Sequence, residues 1–396
     1  MAGLRVRRLG WLAGVCVAAT AAAALVACAA WGSYIEEEFR GGTSVVRPPP
    51  APPPPSPLPP THRRPPPSHH VPELARLLER LEPRRPLVCG RLAVYPIAAR
   101  GGSDLGGRWL TMDAALARGL LAVTERDGGG SVPVIRLENR SGADYIFVMA
   151  GEVAAGGKQT RTLRQDVILA PKQRIEVPVF CVEQHRWSGK AEFSAGGMLV
   201  PQSIQREMRR GADQASVWSE VDRAAGALGA RNPTSSLELA MKAAPVQREL
   251  DEVRRIIMPE VPADSIGFVL ADRWTGRALG GEFFGRSDLA LALLPKLLDA
   301  YAVDLVLPHG RERPAGRPPD ETIAWDFIGR IRAAGSHRTG TPGSGEGIGM
   351  RAGGLVGDGV GLGGVLVHFG CQAEDQIVPM PMPMPMPGPR PPAYRE

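Results

Sequence analysis

The chain has 396 residues, of which 43% are hydrophobic and only 5% aromatic, so it is long enough for one large domain or two of ordinary size. Its formal net charge of +6 is concentrated near the start, because residues 1–71 hold seven arginines and three glutamates, whereas the rest carries 40 basic and 38 acidic residues. No basic stripe with interleaved aromatic residues follows, and this argues against nucleic acid as a partner.

The N-terminal segment has the order of an export signal. Arg5, Arg7 and Arg8 precede an apolar stretch that runs from Leu9 to Val26 and ends in Leu25-Val26-Ala27-Cys28. A basic start, an apolar middle and small residues before the cut are the parts of a secretory signal peptide. The last four residues resemble the lipobox of bacterial lipoproteins, in which the cysteine becomes the first residue and its sulfur carries a diacylglycerol. We therefore predict a signal peptide over residues 1–27 and lipidation at Cys28.

An uncleaved membrane anchor is the alternative for this segment. Its 18 apolar residues are borderline for a helix that spans a bilayer. Both interpretations tether the chain to a membrane, so we expect a cell-envelope protein on the extracytoplasmic side, with the membrane as one partner. The residue after the cysteine is Ala29, which leaves the choice between inner and outer membrane open.

Two low-complexity segments flank the region that is predicted to fold. Residues 28–70 form a linker whose section 47–67 is dominated by proline, and such runs adopt extended polyproline II. At about 3.1 Å per residue this section would reach roughly 60 Å, as a semi-rigid stalk. Residues 376–396 are rich in proline and methionine and are predicted to be a disordered tail. The glycine-rich segment 338–364 is also predicted to be loop.

The intervening residues 71–375 are predicted to form one folded domain. In chain order the apolar periodicities predict a helix over 72–81, a strand over 88–97, a helix over 111–126, a strand-rich block over 132–182, helices over 203–228 and 235–258, a hairpin over 265–284, helices over 287–303 and 320–333, and a strand over 364–370. Grouped strands and helices of this kind indicate an α+β fold, mainly antiparallel sheets with several packed helices, rather than regular βαβ alternation.

Several sequence blocks in this domain carry a family resemblance. They are Asn139-Arg140-Ser141, Ala150-Gly151-Glu152, Gly156-Gly157-Lys158-Gln159-Thr160-Arg161, Val177-Pro178-Val179-Phe180-Cys181-Val182-Glu183-Gln184-His185-Arg186-Trp187 and, more weakly, Leu294-Pro295-Lys296-Leu297-Leu298. From about Leu87 to Cys371 the chain resembles the ARG and rhodanese-phosphatase-superfamily-associated domain, an uncharacterised family. The resemblance implies a fold and an association with ADP-ribose-linked systems, but fold-level likeness assigns no activity.

Charged and amide side chains cluster near the ends of the predicted strands in two of these blocks. The candidate ligand-binding residues are Glu152, Lys158, Gln159, Arg161, Glu183, Gln184 and Arg186. Arginine and lysine suit phosphate groups, so we expect a small polar or phosphorylated ligand here. The alternative is a structural network in which Glu152 and Glu183 pair with Lys158 and Arg186.

The remaining motifs give no metal site and no cofactor. The spacings H-E-x-x-H, paired C-x-x-C and G-x-S-x-G do not occur in the sequence. Residues 359–364 match G-x-G-x-x-G, but strand-like residues follow where a dinucleotide site needs a helix. Cys89, Cys181 and Cys371 remain after processing, and the sequence leaves open whether two of them form a disulfide.

These patterns favour a lipid-anchored extracytoplasmic domain that acts as a binding or interaction module. The complete export-and-stalk organisation, without a recognisable set of catalytic residues, motivates this hypothesis. Two alternatives stay open: a hydrolase acting on a nucleotide or ADP-ribose-type phosphoester, and a structural protein of the envelope. The sequence names no protein partner and no catalytic residue.

Overall fold

The computed structural model describes residues 70–102, 105–126, 133–305 and 319–374, all within one compact unit that spans Arg64–Glu396. The predicted signal peptide, Cys28, nearly all of the predicted linker and the predicted tail lie outside the described residues. Among the helices that are described, none combines the length and the apolar character needed to cross a membrane.

The described residues form eighteen strands and eight α-helices. The strands are β1 (Leu81–Pro83), β2 (Leu87–Cys89), β3 (Leu92–Ala99), β4 (Arg108–Thr111), β5 (Leu121–Glu125), β6 (Val134–Asn139), β7 (Asp144–Val148), β8 (Glu152–Gly156), β9 (Arg161–Leu163), β10 (Val167–Leu169), β11 (Arg174–Cys181), β12 (Phe193–Leu199), β13 (Gly267–Asp272), β14 (Arg277–Phe284), β15 (His337–Thr339), β16 (Glu346–Ala352), β17 (Leu355–Leu362) and β18 (Val365–Ala373). The helices are α1 (Pro72–Arg80), α2 (Met112–Ala117), α3 (Gln202–Arg210), α4 (Gln214–Ala227), α5 (Leu237–Met241), α6 (Ala244–Ile257), α7 (Ser287–Leu305) and α8 (Thr322–Ala334).

The strands form three sheets that are almost wholly antiparallel. The largest sheet has the order β1-β3-β13-β14-β18-β17-β16-β15, with β2 also paired to β3. A second sheet has the order β10-β7-β4, in which β4 and β7 are parallel, and a third has the order β12-β8-β9-β11-β6-β5. This mixture of antiparallel sheets and packed helices confirms the predicted α+β class.

Both faces of the large sheet are covered. Successive strand residues point to opposite sides, and the side chains on each side of β3 belong to a different core. Leu92 and Val94 of β3 belong to a core that also contains the apolar faces of α3 to α7. Tyr95 and Ile97 belong to a second core, formed with α1 and α8. A third core fills the space between the two smaller sheets and α2. The last strand, β18, pairs with β14 and thereby joins the sheet that contains β1 and β3.

Three predicted helices differ from the structure: one is too long, and two are each divided into two helices. The prediction over 111–126 is wrong beyond residue 117: α2 ends there, Gly119 has a positive φ of 65°, and Leu121–Glu125 is a strand with alternating burial. Leucines at 116, 120 and 121 fit either a helix or a helix followed by a strand, so their spacing could not decide. The predicted helix over 203–228 is divided at Gly211, whose φ of 88° ends α3. The predicted helix over 235–258 is divided into α5 and α6.

The glycine-rich segment 338–364 is not the predicted loop but contributes β15, β16 and β17. Its glycines allow neighbouring groups to approach the main chain of these strands closely. A Cβ added to Gly357 would lie 2.9 Å from the Phe369 ring and 2.9 Å from the Gly370 carbonyl oxygen. Glycine in a strand interior commonly marks such a close approach. A high glycine content was therefore misleading as evidence for a loop.

Candidate functional site

A cavity of about 440 Å³ opens beside the glycine-rich end of the large sheet. The loop between β9 and β10 contributes Arg164 and Asp166 to its lining, the end of α3 contributes Arg209, and β15 and β17 contribute Thr339 and Asp358. This volume lies within the range of small-molecule sites. The cavity thus combines several charged side chains with enough space for a ligand.

Strand register places the charged groups of its floor in one row. Glu282 of β14 is directly opposite Gly370 of β18, and Gly370 is directly opposite Asp358 of β17. Residues directly opposite each other share a face of the sheet. A Cβ on Gly370 would collide with the guanidinium group of Arg209, so glycine leaves the space that this side chain fills between the two carboxylates.

Arg209 is almost fully buried and binds both of these carboxylates. Its Nε lies 2.5 Å from Asp358 Oδ1, and its Nη1 lies 3.4 Å from Glu282 Oε1. Burial lowers the pKa of Arg209, but Glu282 and Asp358 outweigh burial and hold that pKa above its ordinary value. The guanidinium group therefore remains charged in the interior.

His368 extends this chain of charges to the loop after β9. Its Nδ1 lies 2.6 Å from Asp166 Oδ2, and its Nε2 lies 3.1 Å from Glu282 Oε2. Burial lowers the pKa of His368, but Asp166 and the hydrogen bonds to Asp166 and Glu282 raise it to about 9. The imidazolium form carries a proton on each nitrogen, so each nitrogen donates one hydrogen bond.

The resulting order of side chains is Asp358, Arg209, Glu282, His368 and Asp166. Three carboxylates share two cations, so the fully ionised chain carries one excess negative charge. Burial raises the pKa of Asp358, although Arg209 partly opposes this shift. The side chain of Asp358 is 28% exposed, whereas those of Arg209 and Glu282 are 4% and 0% exposed. Asp358 is therefore the member of the chain that a ligand can reach.

Six of the seven predicted site residues lie together, at the turn that joins β8 to β9 and just after β11. Arg186 donates to Glu183 at 2.9 and 2.6 Å and to the carbonyl oxygens of Gly156 and Gly157. Glu183 also accepts a hydrogen bond from the Thr160 N–H at 3.0 Å. Burial raises the pKa of Glu183, but Arg186 and Thr160 reverse this shift and lower it. Of the predicted structural network, the Glu183–Arg186 pair is present.

The other members of this cluster bind one another and the backbone. The Gln159 amide donates to the Gln184 carbonyl oxygen at 2.8 Å and accepts from Arg161 at 3.1 Å. Arg161 is fully buried, and both it and Lys158 lie over the ring of Trp187, at 5.7 and 5.4 Å. Most of these groups therefore fix the turn, and Lys158 and Trp187 reach its surface.

Glu152 lies apart from that cluster, and its predicted pairing with Lys158 is wrong. Its Oε1 lies 2.6 Å from the Lys296 Nζ, and its Oε2 accepts the Met149 N–H at 2.8 Å. Burial raises the pKa of Glu152, and Lys296 opposes that shift only in part. Glu152 and Lys296 come from two of the sequence blocks that carried the family resemblance, so the structure brings these blocks into contact.

Sequence reasoning missed Arg209, Glu282, His368 and Lys296. One signal could have found two of them: a lone charged or ionisable residue within an apolar element. Lys296 lies in the Leu-Leu-Pro-Lys-Leu-Leu segment of α7, and His368 lies in Val-Leu-Val-His-Phe of β18. Such residues are rarely buried without a partner. Their partners are distant in sequence and required the fold.

The three cysteines among the described residues, Cys89, Cys181 and Cys371, are buried and form no disulfide with one another. Burial raises the pKa of Cys181, with Arg161 acting in the opposite direction. A raised pKa keeps a thiol protonated and unreactive. Within the described ranges, no group of three or more His, Cys, Asp or Glu side chains is arranged to hold a metal ion.

These features define an α+β protein with a polar cavity above a buried chain of ion pairs. The sequence profile of the ARG and Rhodanese-Phosphatase-superfamily-associated Protein domain matches residues 80–371. The chain therefore belongs to this family, as its sequence blocks indicated. No curated protein and no solved structure matches it significantly.

Proposed function

We propose that this chain is a lipid-anchored extracytoplasmic protein whose domain binds a small, hydroxyl-rich polar ligand in the cavity above Arg209 and Asp358. The observation that carries the binding function is a partly exposed carboxylate at the end of a buried ion chain, facing a cavity of about 440 Å³. Clusters of charged groups with shifted pKa values beside a cavity are typical of functional sites.

The chemistry of the lining favours hydroxyl groups in the ligand. Asp358 offers an acceptor, and the exposed Arg164 and Thr339 offer donors at the mouth. A sugar or a ribose-type ring presents neighbouring hydroxyl groups that both donate and accept. Arg164 at the mouth offsets the one excess negative charge of the fully ionised chain of side chains, so a neutral polyol fits better than a strongly charged molecule.

The position outside the cell rests on the sequence. Cys28 follows a basic and then an apolar segment, and the proline-rich linker would hold the domain away from a lipid surface. A binding domain at the end of such a stalk would capture its ligand close to the membrane.

A panel of monosaccharides, nucleosides and their phosphates tests the binding function, by thermal shift and then calorimetry on the full chain in detergent. A ligand that binds only the native state raises the melting temperature. We expect Asp358→Asn and Arg164→Ala to weaken binding at least about tenfold, the loss of roughly one charged hydrogen bond. The matched controls are Asp264→Asn and Arg140→Ala, which alter exposed side chains paired with Arg84 and Glu138. Equal binding by Asp358→Asn would refute the assignment, and turnover of a bound compound would favour the hydrolase hypothesis.

A further inference from the structure

A second cavity, of about 380 Å³, lies between α6, α7 and β12, beside the end of α5. Gln247 and Arg254 are seven residues apart and share one face of α6, and Lys296 and Asp299 are three residues apart and share one face of α7. The strand β12 contributes two adjacent glycines, whose small size leaves space between the helices. The residues that face this space from the two helices are largely polar.

Three cations line the cavity, whereas Asp299 is the single carboxylate among the described residues that line it. The cations are Lys242, which follows α5, Arg254 and Lys296. Both oxygens of Asp299 are withdrawn from a ligand, because Oδ2 accepts a hydrogen bond from Arg254 and Oδ1 is buried. A molecule in the cavity therefore meets charged N–H donors rather than carboxylate acceptors.

The other carboxylates that bind these cations do not line the cavity. They are Glu152 and Asp113, which bind Lys296, Asp251, which binds Arg254, and Glu238, which binds Lys242. Each of these ion pairs therefore presents its cation to the cavity. The side chains of Asp251 and Asp113 are 68% and 37% exposed, so water screens their charges more strongly than the charge of Lys296, which is 8% exposed.

The three cations have more N–H groups than these carboxylates accept. An ammonium group has three N–H donors and a guanidinium group has five. Among the described residues, Lys296 contacts two carboxylates, Lys242 contacts one, and Arg254 donates to one through each of its Nη atoms. Each cation therefore keeps at least one N–H for an acceptor in the cavity.

We propose that this cavity binds a small organic anion, a carboxylate or sulfonate group on a short apolar chain. The anionic group accepts hydrogen bonds from the three cations, and bonds between two charged groups are the strong ones. Met198, Met241 and Pro295 line the same cavity and contact the carbon chain of the ligand. The site shares no lining residue with the cavity above Arg209, so it stands independently of the proposed function.

The direct experiment is a calorimetric titration of sodium butanesulfonate into the full chain in detergent. Butanesulfonamide is the matched neutral compound, because it keeps the carbon chain and two sulfonyl oxygens but lacks the charge. We expect the sulfonate to bind at least about tenfold more tightly than the sulfonamide. Lys242→Met should weaken sulfonate binding at least about threefold, whereas Lys190→Met, at an exposed lysine outside the cavity lining, should leave it unchanged. Equal binding of the two compounds, equal binding by the two variants, or no binding of the sulfonate overturns the proposal.

The pH dependence of the unmutated chain gives a second measurement, which needs no variant. Burial raises the pKa of Asp299, partly against Arg254, to about 6. The charged groups that face Asp299 are Arg254 and Asp251 from α6, Lys296 from its own helix and Lys242 across the cavity. Protonation of Asp299 releases Arg254 from a competing carboxylate, so the affinity for butanesulfonate, which stays anionic, should rise as the pH falls from 7.5 to 5.5. An affinity that stays constant or falls over this range contradicts the proposal.

Discussion

His368 and Asp166 are joined by a hydrogen bond of 2.6 Å between Nδ1 and Oδ2, although 202 residues separate them in the chain. The bond fastens the last strand of the large sheet to the loop between β9 and β10. Asp166 also accepts the Ala150 N–H at 2.9 Å through its other oxygen. One carboxylate thus connects the large sheet to the start of β8. Substitutions in the buried ion chain should therefore change the stability of the whole domain.

Replacing His368 with glutamine should destabilise the domain by about 3 to 5 kcal/mol, because Asp166 and Glu282 would then face each other in the interior without the imidazolium. The free energy of unfolding from urea titration measures the loss. His337→Gln, at an exposed histidine on β15, is the control and should change stability by less than about 0.5 kcal/mol. A small effect of His368→Gln would show that the three carboxylates do not depend on its charge.

The same histidine should make the domain less stable at high pH. The pKa of His368 in the folded state is about 9, against an ordinary value of 6.5. The folded state therefore holds this proton more tightly, and the stability it contributes is complete below about pH 6.5 and disappears as pH rises through 9. Urea titrations from pH 6.5 to 10 should show this decline in the unmutated chain. In His368→Gln the decline should be much reduced, and equal slopes in both proteins would contradict the assignment.

Lys296 and Glu152 should respond unequally to substitution. Lys296→Met leaves Glu152 and Asp113 without a cation and should cost about 3 to 5 kcal/mol. Glu152→Gln leaves Lys296 paired with Asp113 at 2.7 Å and should cost less. Unfolding free energies of the two single variants and the double variant test this order. We expect the double variant to lose less than the sum of the singles, since removing both partners leaves fewer unpaired charges.

Gly370→Ala should disturb the floor of the larger cavity. The added Cβ would collide with the Arg209 guanidinium and Glu282 Oε2, so the buried ion pair must move. Overpacking at such a position costs about 1 to 3 kcal/mol. Gly340→Ala is the matched control, because nothing lies within 4 Å of the Cβ it would add. Equal unfolding free energies for the two variants would mean that Arg209 relocates at no cost.

The class of fold and the family could be predicted from the sequence, but the charged residues beside the larger cavity could not. The hairpin predicted over 265–284 and the helix over 287–303 closely match β13, β14 and α7, because their apolar patterns are local. The partners of Arg209 lie 73 and 149 residues away, so no local pattern could bring them together. The predicted polar cluster does assemble around Glu183 and Arg186. Glu152 lies outside this cluster because it is at the start of β8, whereas the cluster forms at the turn after the end of β8.

The glycines of β16 give the larger cavity two unequal walls. Gly349 is directly opposite Asp358, so Gly347 and Gly349 share the face on which the ion chain lies. A Cβ at either position would collide with β15, at the side chain of Thr339 or His337. At these two positions the wall is consequently main chain, and a larger residue there would have to displace Thr339 or His337. A change in ligand preference is easier on the opposite wall, at Arg164, because this exposed side chain belongs to a loop and its exchange leaves the sheet pairing intact.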